Sequence, residues 1–194
     1  MSVAFSNQER EEILRSLKQT ALRYAGTLGM RRTSVEQLAQ AAHISKGAFY
    51  KFYASKELLY FELLEDIHSE VYSLAGRILR ENAELSAAER GAKALLAVCH
   101  SLEARGLLEF LEHDVPYLLR KVPEEVQREH YHSDEVHIQA LLSEHELIPA
   151  GGIALATATI RGLLLAVSHR EEIGAQYPAV LELLVYGACR QLFS

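Results

Sequence analysis

The chain has 194 residues, of which 49% are apolar and 24% charged, a balance that is ordinary for a globular protein and speaks against disorder. The two cysteines, Cys99 and Cys189, lie in apolar helical stretches and fit buried thiols better than a disulfide framework, and a polar, charged start leads us to expect no signal peptide. The net charge of −6 is uneven: residues 1–60 carry nine Lys and Arg against five acids, and the remainder carries eleven against twenty-one. A basic segment on an acidic body indicates a polyanionic partner for the first segment only.

Helical periodicity runs through nearly the whole chain and predicts an all-α fold of about nine helices. Capping residues mark the predicted helix starts at Ser6 with Glu9, Thr33 with Glu36, Ser45, Ser55, and Ser86 with Glu89. Gly29 is expected to cap the end of the first helix, and Pro123 and Pro178 to open later ones. We place a smaller domain at residues 1–55 and a larger one at 56–194.

The stretch from Thr33 to Tyr50 predicts two short helices separated by a tight turn at residues 42–44. Leu38 and Ala39 face inward, and Phe49 closes a small core from the other side. This is the arrangement of a helix-turn-helix, whose second helix enters the major groove of DNA. The alternative is a helical hairpin that merely packs, with Tyr50 as a half-buried aromatic.

The residues at 33–59 resemble the signature of the TetR family of bacterial transcription regulators, T-S-V-x-x-I-A-x-x-A-G-V-S-K-G-x-L-Y-x-H-F-x-S-K-E-x-L. Matching positions are Thr33, Ser34, Val35, Leu38, Ala39, Ala42, Ile44, Ser45, Lys46, Gly47, Phe49, Tyr50, Ser55, Lys56, Glu57 and Leu59. The resemblance covers about fifty residues, from Ile13 to Leu59. It implies a homodimer that binds a palindromic operator in double-stranded DNA and responds to a small-molecule effector, most simply as a repressor.

The resemblance also implies roles for individual residues. Tyr50 would bond a DNA phosphate, and Lys56 would contact the DNA backbone. Thr33 and Ser34 would contact it as well. The residues implied for the groove are Lys46, Gly47, Ala48 and Lys51, and Ser45 is also expected to bind DNA.

Three positions depart from the family pattern. His43 stands where Gly is usual, and we expect a positive φ there, which His tolerates better than most residues. Phe52 replaces a His, which removes one expected phosphate contact. Ala25 replaces a large Phe, so Tyr24 or Leu28 is expected to fill its space.

Residues 153–167 are apolar nearly all round and rich in small side chains, although Arg161 interrupts them. They are too few to span a bilayer comfortably, so we expect a cytoplasmic protein with no membrane partner. A helix of this kind needs cover on every side, either as the central helix of a monomer or in a homodimer interface. The residues expected at that interface are Leu163, Val167, Leu181, Leu184, Val185, Ala188 and Leu192.

The middle of the chain mixes apolar bulk with polar tips, as small-molecule sites do. We expect a small, largely apolar molecule to bind between the helices at 86–105 and 123–145; the alternative is plain core. The expected lining is Leu95, Cys99, Leu102, Phe110, Tyr117, Tyr131 and Ile138.

Nothing in the sequence predicts a catalytic residue, a cofactor or a metal ligand. Ser-His-Asp sets, P-loops and dinucleotide fingerprints do not appear, so we expect no enzyme. His130 and His132 point to different faces of a helix, which is poor spacing for one metal, and His137 lies near them. Two rival functions stay open: a helix-turn-helix interaction protein that reads no DNA, and a metal-responsive regulator.

Overall fold

The structure, a computed structural model, describes residues 5–168 and 173–193, with the side chains of residues 165–168 left out. This part of the chain is built of helices and contains no strand. The α-helices are α1 (Asn7–Ala25), α2 (Val35–Ala41), α3 (Lys46–Phe49), α4 (Lys56–Glu81), α5 (Ala87–Ala104), α6 (Val115–Leu119), α7 (Glu124–Glu144), α8 (Ile153–Ser168) and α9 (Tyr177–Leu192). A π-helical turn, Phe110–Asp114, leads into α6, and a 3₁₀ turn, Gly174–Gln176, leads into α9. The all-α prediction is confirmed.

The chain divides into two compact units. The N-terminal unit runs to Asp66 and also takes in Glu109–Pro123, while the C-terminal unit comprises Ile67–Leu108 and the chain from Glu124 onward. The division therefore falls within α4. The π-turn and α6 belong to the N-terminal unit. The boundary that we predicted from the sequence, after residue 55, would assign them to the larger domain.

Most predicted helix starts are confirmed by their capping bonds. Ser6 with Glu9 and Ser86 with Glu89 each form both bonds of a capping box. Ser45 accepts a hydrogen bond from the Ala48 amide at the start of α3. Each side chain thereby satisfies a helix N–H group that has no partner within the helix.

The capping box predicted at Thr33 is wrong by one residue. Ser34 is the N-cap of α2, and its hydroxyl accepts from the Gln37 amide while Gln37 accepts from the Ser34 amide. The Thr33 side chain turns inward instead, is 1% exposed, and donates to the carbonyl oxygen of Gly29 at 2.9 Å. Either residue could have capped the helix, so local pattern alone could not choose between them.

The end of α1 also differs from the prediction, because the helix is capped at Gly26 and not at Gly29. Gly29 instead has a φ of +80° in the loop that follows. A Cβ placed there would come within 3.1 Å of the Asp114 carboxylate, so conformation and space both require glycine. Leu28 is 41% exposed and does not fill the space expected beside Ala25.

Three helices end in the same left-handed motif. In α2, α5 and α7 the residue after the cap has a positive φ: His43 (56°), Gly106 (67°) and Glu146 (55°). The next residue is apolar and donates its N–H back into the last turn of the helix, as Ile44 does to Ala39 at 2.9 Å. This is the Schellman arrangement, which satisfies two otherwise unpaired carbonyl groups and reverses the chain sharply. The positive φ expected at His43 is confirmed.

A hydrophobic core fills the C-terminal unit. It is formed by α5, α7, α8 and α9 with the end of α4, and two long helices, α5 and α9, pack against each other within it. Gly91 on α5 permits a close approach, since a Cβ there would lie 3.0 Å from the Phe193 ring. These helices bury the thiols of Cys99 and Cys189, which are 1% and 0% exposed.

Candidate nucleic-acid interface

The helix-turn-helix is held by a small core of the kind predicted. Leu38, Ala39 and Phe49 are at most 1% exposed. The Schellman turn at His43 redirects the chain from α2 into α3. Because α3 has only four residues, its position depends on this packing and on the Ser45 cap more than on its own helical bonds.

The start of α3 is open to solvent. Ser45, Lys46, Gly47 and Lys51 are exposed, and the Tyr50 side chain is 50% exposed. A Cβ added to Gly47 would meet only Ser45 Oγ, at 3.9 Å, so no other side chain of the described residues lies against this position. Seven predicted DNA-binding residues thus lie at or near the surface: Ser34, Ser45, Lys46, Gly47, Ala48, Tyr50 and Lys51.

An ion pair links the two helices of the motif. The Lys46 ammonium lies 2.5 Å from a Glu36 carboxylate oxygen, and both side chains are more than half exposed. This contact raises the pKa of Lys46 and lowers that of Glu36. The sequence reasoning missed Glu36, because the pairing depends on how α2 and α3 cross.

Thr33 and Lys56, both predicted to contact the DNA backbone, make hydrogen bonds within the protein. Thr33 is buried, as described above. The Lys56 ammonium is turned toward the loop before α2, where it donates to the carbonyl oxygens of Thr33 (2.6 Å), Met30 (3.0 Å) and Arg31 (3.4 Å). Its ammonium group is therefore bound by backbone carbonyl groups, and these hydrogen bonds stabilise the loop that leads into the helix-turn-helix.

Phe52, the residue in place of the family's usual His, packs against aromatic and basic side chains. Its ring lies 5.6 Å from the ring of Phe5 and 5.1 Å from the guanidinium of Arg10, while the Lys51 ammonium lies 5.8 Å from the Phe5 ring. The basic groups of Arg10 and Lys51 are thus gathered close to the end of α3. This grouping could not be read from the sequence, where Arg10 is 42 residues from Phe52.

The loop before α2 is held from its other side by Asp114. This carboxylate is 5% exposed and accepts a hydrogen bond from the Met30 amide. The Arg31 guanidinium lies 4.0 Å from the same carboxylate and 5.9 Å from the Tyr117 ring. Lys56 and Asp114 together fix the loop through its carbonyl and amide groups.

The residues predicted to line a ligand pocket are divided between the two units. Phe110 and Tyr117 belong to the N-terminal unit, where Phe110 packs 6.0 Å from Tyr60. In the C-terminal unit, Cys99 and Ile138 are part of the core, Leu95 packs against it, and Leu102 is buried. Tyr131 is 46% exposed. Plain core, the alternative interpretation, describes Cys99 and Ile138 better.

The residues predicted for the dimer interface differ widely in exposure within the single chain. Leu163, Leu181, Val185 and Leu192 are at most 9% exposed and belong to the core of their own unit. Leu184 is 44% exposed, Ala188 is partly buried, and the side chain of Val167 lies outside the described residues. The helices have apolar residues on more than one side, and the sequence does not show which side faces inward.

A different apolar surface is open on α8 and α9, which pack against each other. Leu183 is 74% exposed and Leu155 52%. Small residues lie beside them, and a Cβ on Gly162 or Gly187 would meet no atom within 4 Å. We call this the α8–α9 face; it consists of Ala154, Leu155, Ala158, Gly162, Leu183, Leu184 and Gly187.

In the part of the chain that the structure describes, no helix is both long and apolar enough to cross a bilayer.

Comparisons with known proteins agree with this geometry. The model of the family described as bacterial regulatory proteins, tetR family, matches residues 19–63, which contain the whole helix-turn-helix. No curated relative matches the chain in sequence.

Solved structures share the fold along nearly the whole chain. A TetR/AcrR-family transcriptional regulator from Thermobifida fusca has a TM-score of 0.60 at 20% identity, covering 94% of this chain and 97% of its own. The regulator FadR from Bacillus subtilis, solved with stearoyl-CoA, has 0.59 at 19%, covering 89% and 98%. NalD from Pseudomonas aeruginosa, the secondary repressor of the MexAB-OprM multidrug efflux pump, has 0.57 at 20%, covering 96% of each chain. At these identities the likeness establishes the fold alone.

Proposed function

We propose that this protein is a transcription regulator that binds palindromic operator DNA as a homodimer. The chain matches the DNA-binding domain of the TetR family and has the fold of that family's regulators. The observation that carries the proposal is the uncovered N-terminal end of α3, set on a buried helix-turn-helix core. Free backbone amides and a basic side chain at a helix start favour phosphate and the edges of bases.

The charge distribution supports the same conclusion. Residues 1–60 are net basic and the remaining residues net acidic, so only the first part of the chain attracts a polyanion. Arg10 and Lys51 add basic groups near the end of α3. We infer that these groups contact phosphates, while Lys46, Gly47 and Ala48 approach the bases.

The direct test is selection of bound fragments from random or genomic duplex DNA, followed by titration of the selected site at several salt concentrations. We expect an inverted repeat, and an affinity whose logarithm falls with the logarithm of salt concentration by about 0.9 for each phosphate contacted. Enrichment of no palindrome together with a salt slope near zero would contradict the proposal and favour the interaction protein that reads no DNA.

Two variants separate phosphate contacts from base readout. Tyr50→Phe removes one hydroxyl and should weaken all DNA sequences about equally, because a phosphate contact carries no sequence information. Lys46→Ala should also alter preference among sequences. The matched control is Arg128→Ala, which removes a charge from an exposed position on α7. Unchanged affinity in Tyr50→Phe would remove Tyr50 from the interface.

We further propose that the C-terminal unit makes this regulator responsive to an effector. The support is the likeness of the fold to FadR, which was solved with stearoyl-CoA. A ligand that prefers one of two conformations changes DNA affinity by that preference and no more, and DNA changes ligand affinity by the same factor. A thermal-shift screen followed by operator titration tests this, and stabilising compounds that leave DNA affinity unchanged would contradict it.

A further inference from the structure

A cluster of titratable side chains lies between α4 and α7 in the C-terminal unit. His68 and Tyr72 come from α4, and His130 and Asp134 from α7. The rings of His68 and His130 stack with their centroids 5.0 Å apart, and one ring nitrogen of each lies within 4.8 Å of the other. His130 is 4% exposed, whereas histidines in proteins are more often only partly buried.

Asp134 contacts both side chains from α4. Its Oδ1 lies 2.9 Å from His68 Nδ1, without the alignment of a hydrogen bond, and accepts a hydrogen bond of 2.9 Å from the Tyr72 hydroxyl. Burial acts to raise the pKa of Asp134, but the contacts with His68, His130 and Tyr72 outweigh it and hold the pKa below its usual value.

This arrangement prepares His68 as a ligand. A carboxylate beside one ring nitrogen of a histidine is the arrangement that recurs behind metal-bound histidines, because the other ring nitrogen is left for the metal. Arg161 lies beside the same carboxylate, with its Nη2 3.9 Å from Asp134 Oδ2.

We propose that His68 and His130 bind one divalent transition-metal ion, with Asp134 as the positioning residue that holds His68. Imidazole nitrogen suits Zn²⁺, Co²⁺ or Ni²⁺, whereas Mg²⁺ and Ca²⁺ prefer oxygen. Metal–nitrogen bonds of about 2.0–2.1 Å require the His130 ring to turn out of its stack with His68, so that one nitrogen of each ring points at the ion. Water or an effector atom completes the coordination, so the bound ion is open to exchange.

The site does not depend on the proposed DNA binding, and its test uses no DNA. Full-length protein without a histidine tag is stripped with a chelator, exchanged into metal-free buffer and titrated with Co²⁺ while visible absorbance is recorded; Zn²⁺ then displaces the cobalt. We expect one ion per chain, and a melting temperature that rises with Zn²⁺ because the ion binds the folded state.

Variants assign the ligands. His68→Ala should abolish the cobalt absorbance and the zinc-induced rise in melting temperature. Asp134→Asn should keep the absorbance but weaken binding by about 10- to 100-fold, as expected for a residue that orients a ligand. His132→Ala, which removes an exposed imidazole from the same helix, is the matched control and should bind as the parent does.

Retention of parental metal binding in His68→Ala would overturn the proposal, as would a parent protein that binds no ion. His68 is only partly buried, so this variant decides the question even if the more deeply buried His130→Ala fails to fold. Weak binding of several ions that is equal in parent and His68→Ala would assign the metal to scattered surface histidines and would equally overturn it.

Discussion

At the scale of single residues, His43 carries backbone strain that the sequence pattern had already located. The family pattern has Gly at this position, and the φ of 56° is in the left-handed region, where a side chain costs about 1–2 kcal/mol. His43→Gly should therefore raise the free energy of unfolding by up to about 1 kcal/mol, since glycine's greater freedom in the unfolded chain offsets part of the gain. Chemical denaturation measures this change.

The control at the same position is His43→Val. A β-branched residue in the left-handed region is a marked outlier, so this variant should be less stable than the parent. If His43→Gly proved less stable than the parent, the imidazole would be supplying a contact that outweighs the strain.

Lys56 illustrates how one side chain can match a family motif and yet act inside the protein. Its ammonium donates to carbonyl oxygens of the loop before α2. Lys56→Met should lower the free energy of unfolding by about 2 kcal/mol, the usual magnitude for hydrogen bonds from a charged group. Thermal or chemical unfolding tests this in the absence of DNA.

Lys51→Met provides the contrast, because Lys51 is exposed. It should weaken DNA binding and reduce the salt slope by about 1 while leaving stability nearly unchanged. An unaltered stability in Lys56→Met would mean that the carbonyl contacts are exchanged for water at no cost, and that its charge is available to DNA after all.

At the scale of helices, α5 and α9 keep both thiols unreactive. Burial raises the pKa of Cys99 and of Cys189 to about 11. At pH 8 only about one thiol in a thousand is ionised, and the thiolate is the reactive form. We expect a chromogenic disulfide reagent to label neither cysteine in the native protein and both in denaturant. Rapid labelling of one thiol at pH 8 would show that its helix opens locally.

The helical elements show why some features could be predicted and others could not. Capping boxes and the helix-turn-helix depend on residues three to ten positions apart, so the sequence contains most of their determinants. The dimer and pocket residues depend on which side of a helix faces inward. Leu181 and Leu184 are both apolar and three residues apart, yet one is 3% and the other 44% exposed. The pairing of His68 with His130 likewise appears only after α4 and α7 have packed.

At the scale of the whole molecule, the α8–α9 face leads us to expect a homodimer. Exposed leucines beside glycines with open space around them allow two copies to approach closely and bury apolar area. Leu183→Glu should give monomers in sedimentation at micromolar concentration, because a charge buried in the interface is costly. The protomer should remain folded, since Leu183 is 74% exposed in the single chain.

Val136→Glu is the matched control for dimerisation. Val136 is 48% exposed on α7, outside the α8–α9 face, and its replacement should leave the dimer intact. A parent protein that sediments as a monomer would contradict the homodimer. A parent dimer that is unaffected by Leu183→Glu would place the interface on another surface.

The ion pair between Glu36 and Lys46 has a consequence for how quickly a regulator finds its target along a chromosome. A carboxylate in contact with the reading lysine is a built-in competitor for every phosphate that the protein meets. In the proposed complex, we expect this competition to shorten each contact with arbitrary DNA, whereas on the operator the contacts of Lys46 with bases outweigh it. Glu36→Gln should therefore lengthen the residence time on random DNA more than on the operator. The variant would bind nonspecific DNA more tightly and would find the operator more slowly.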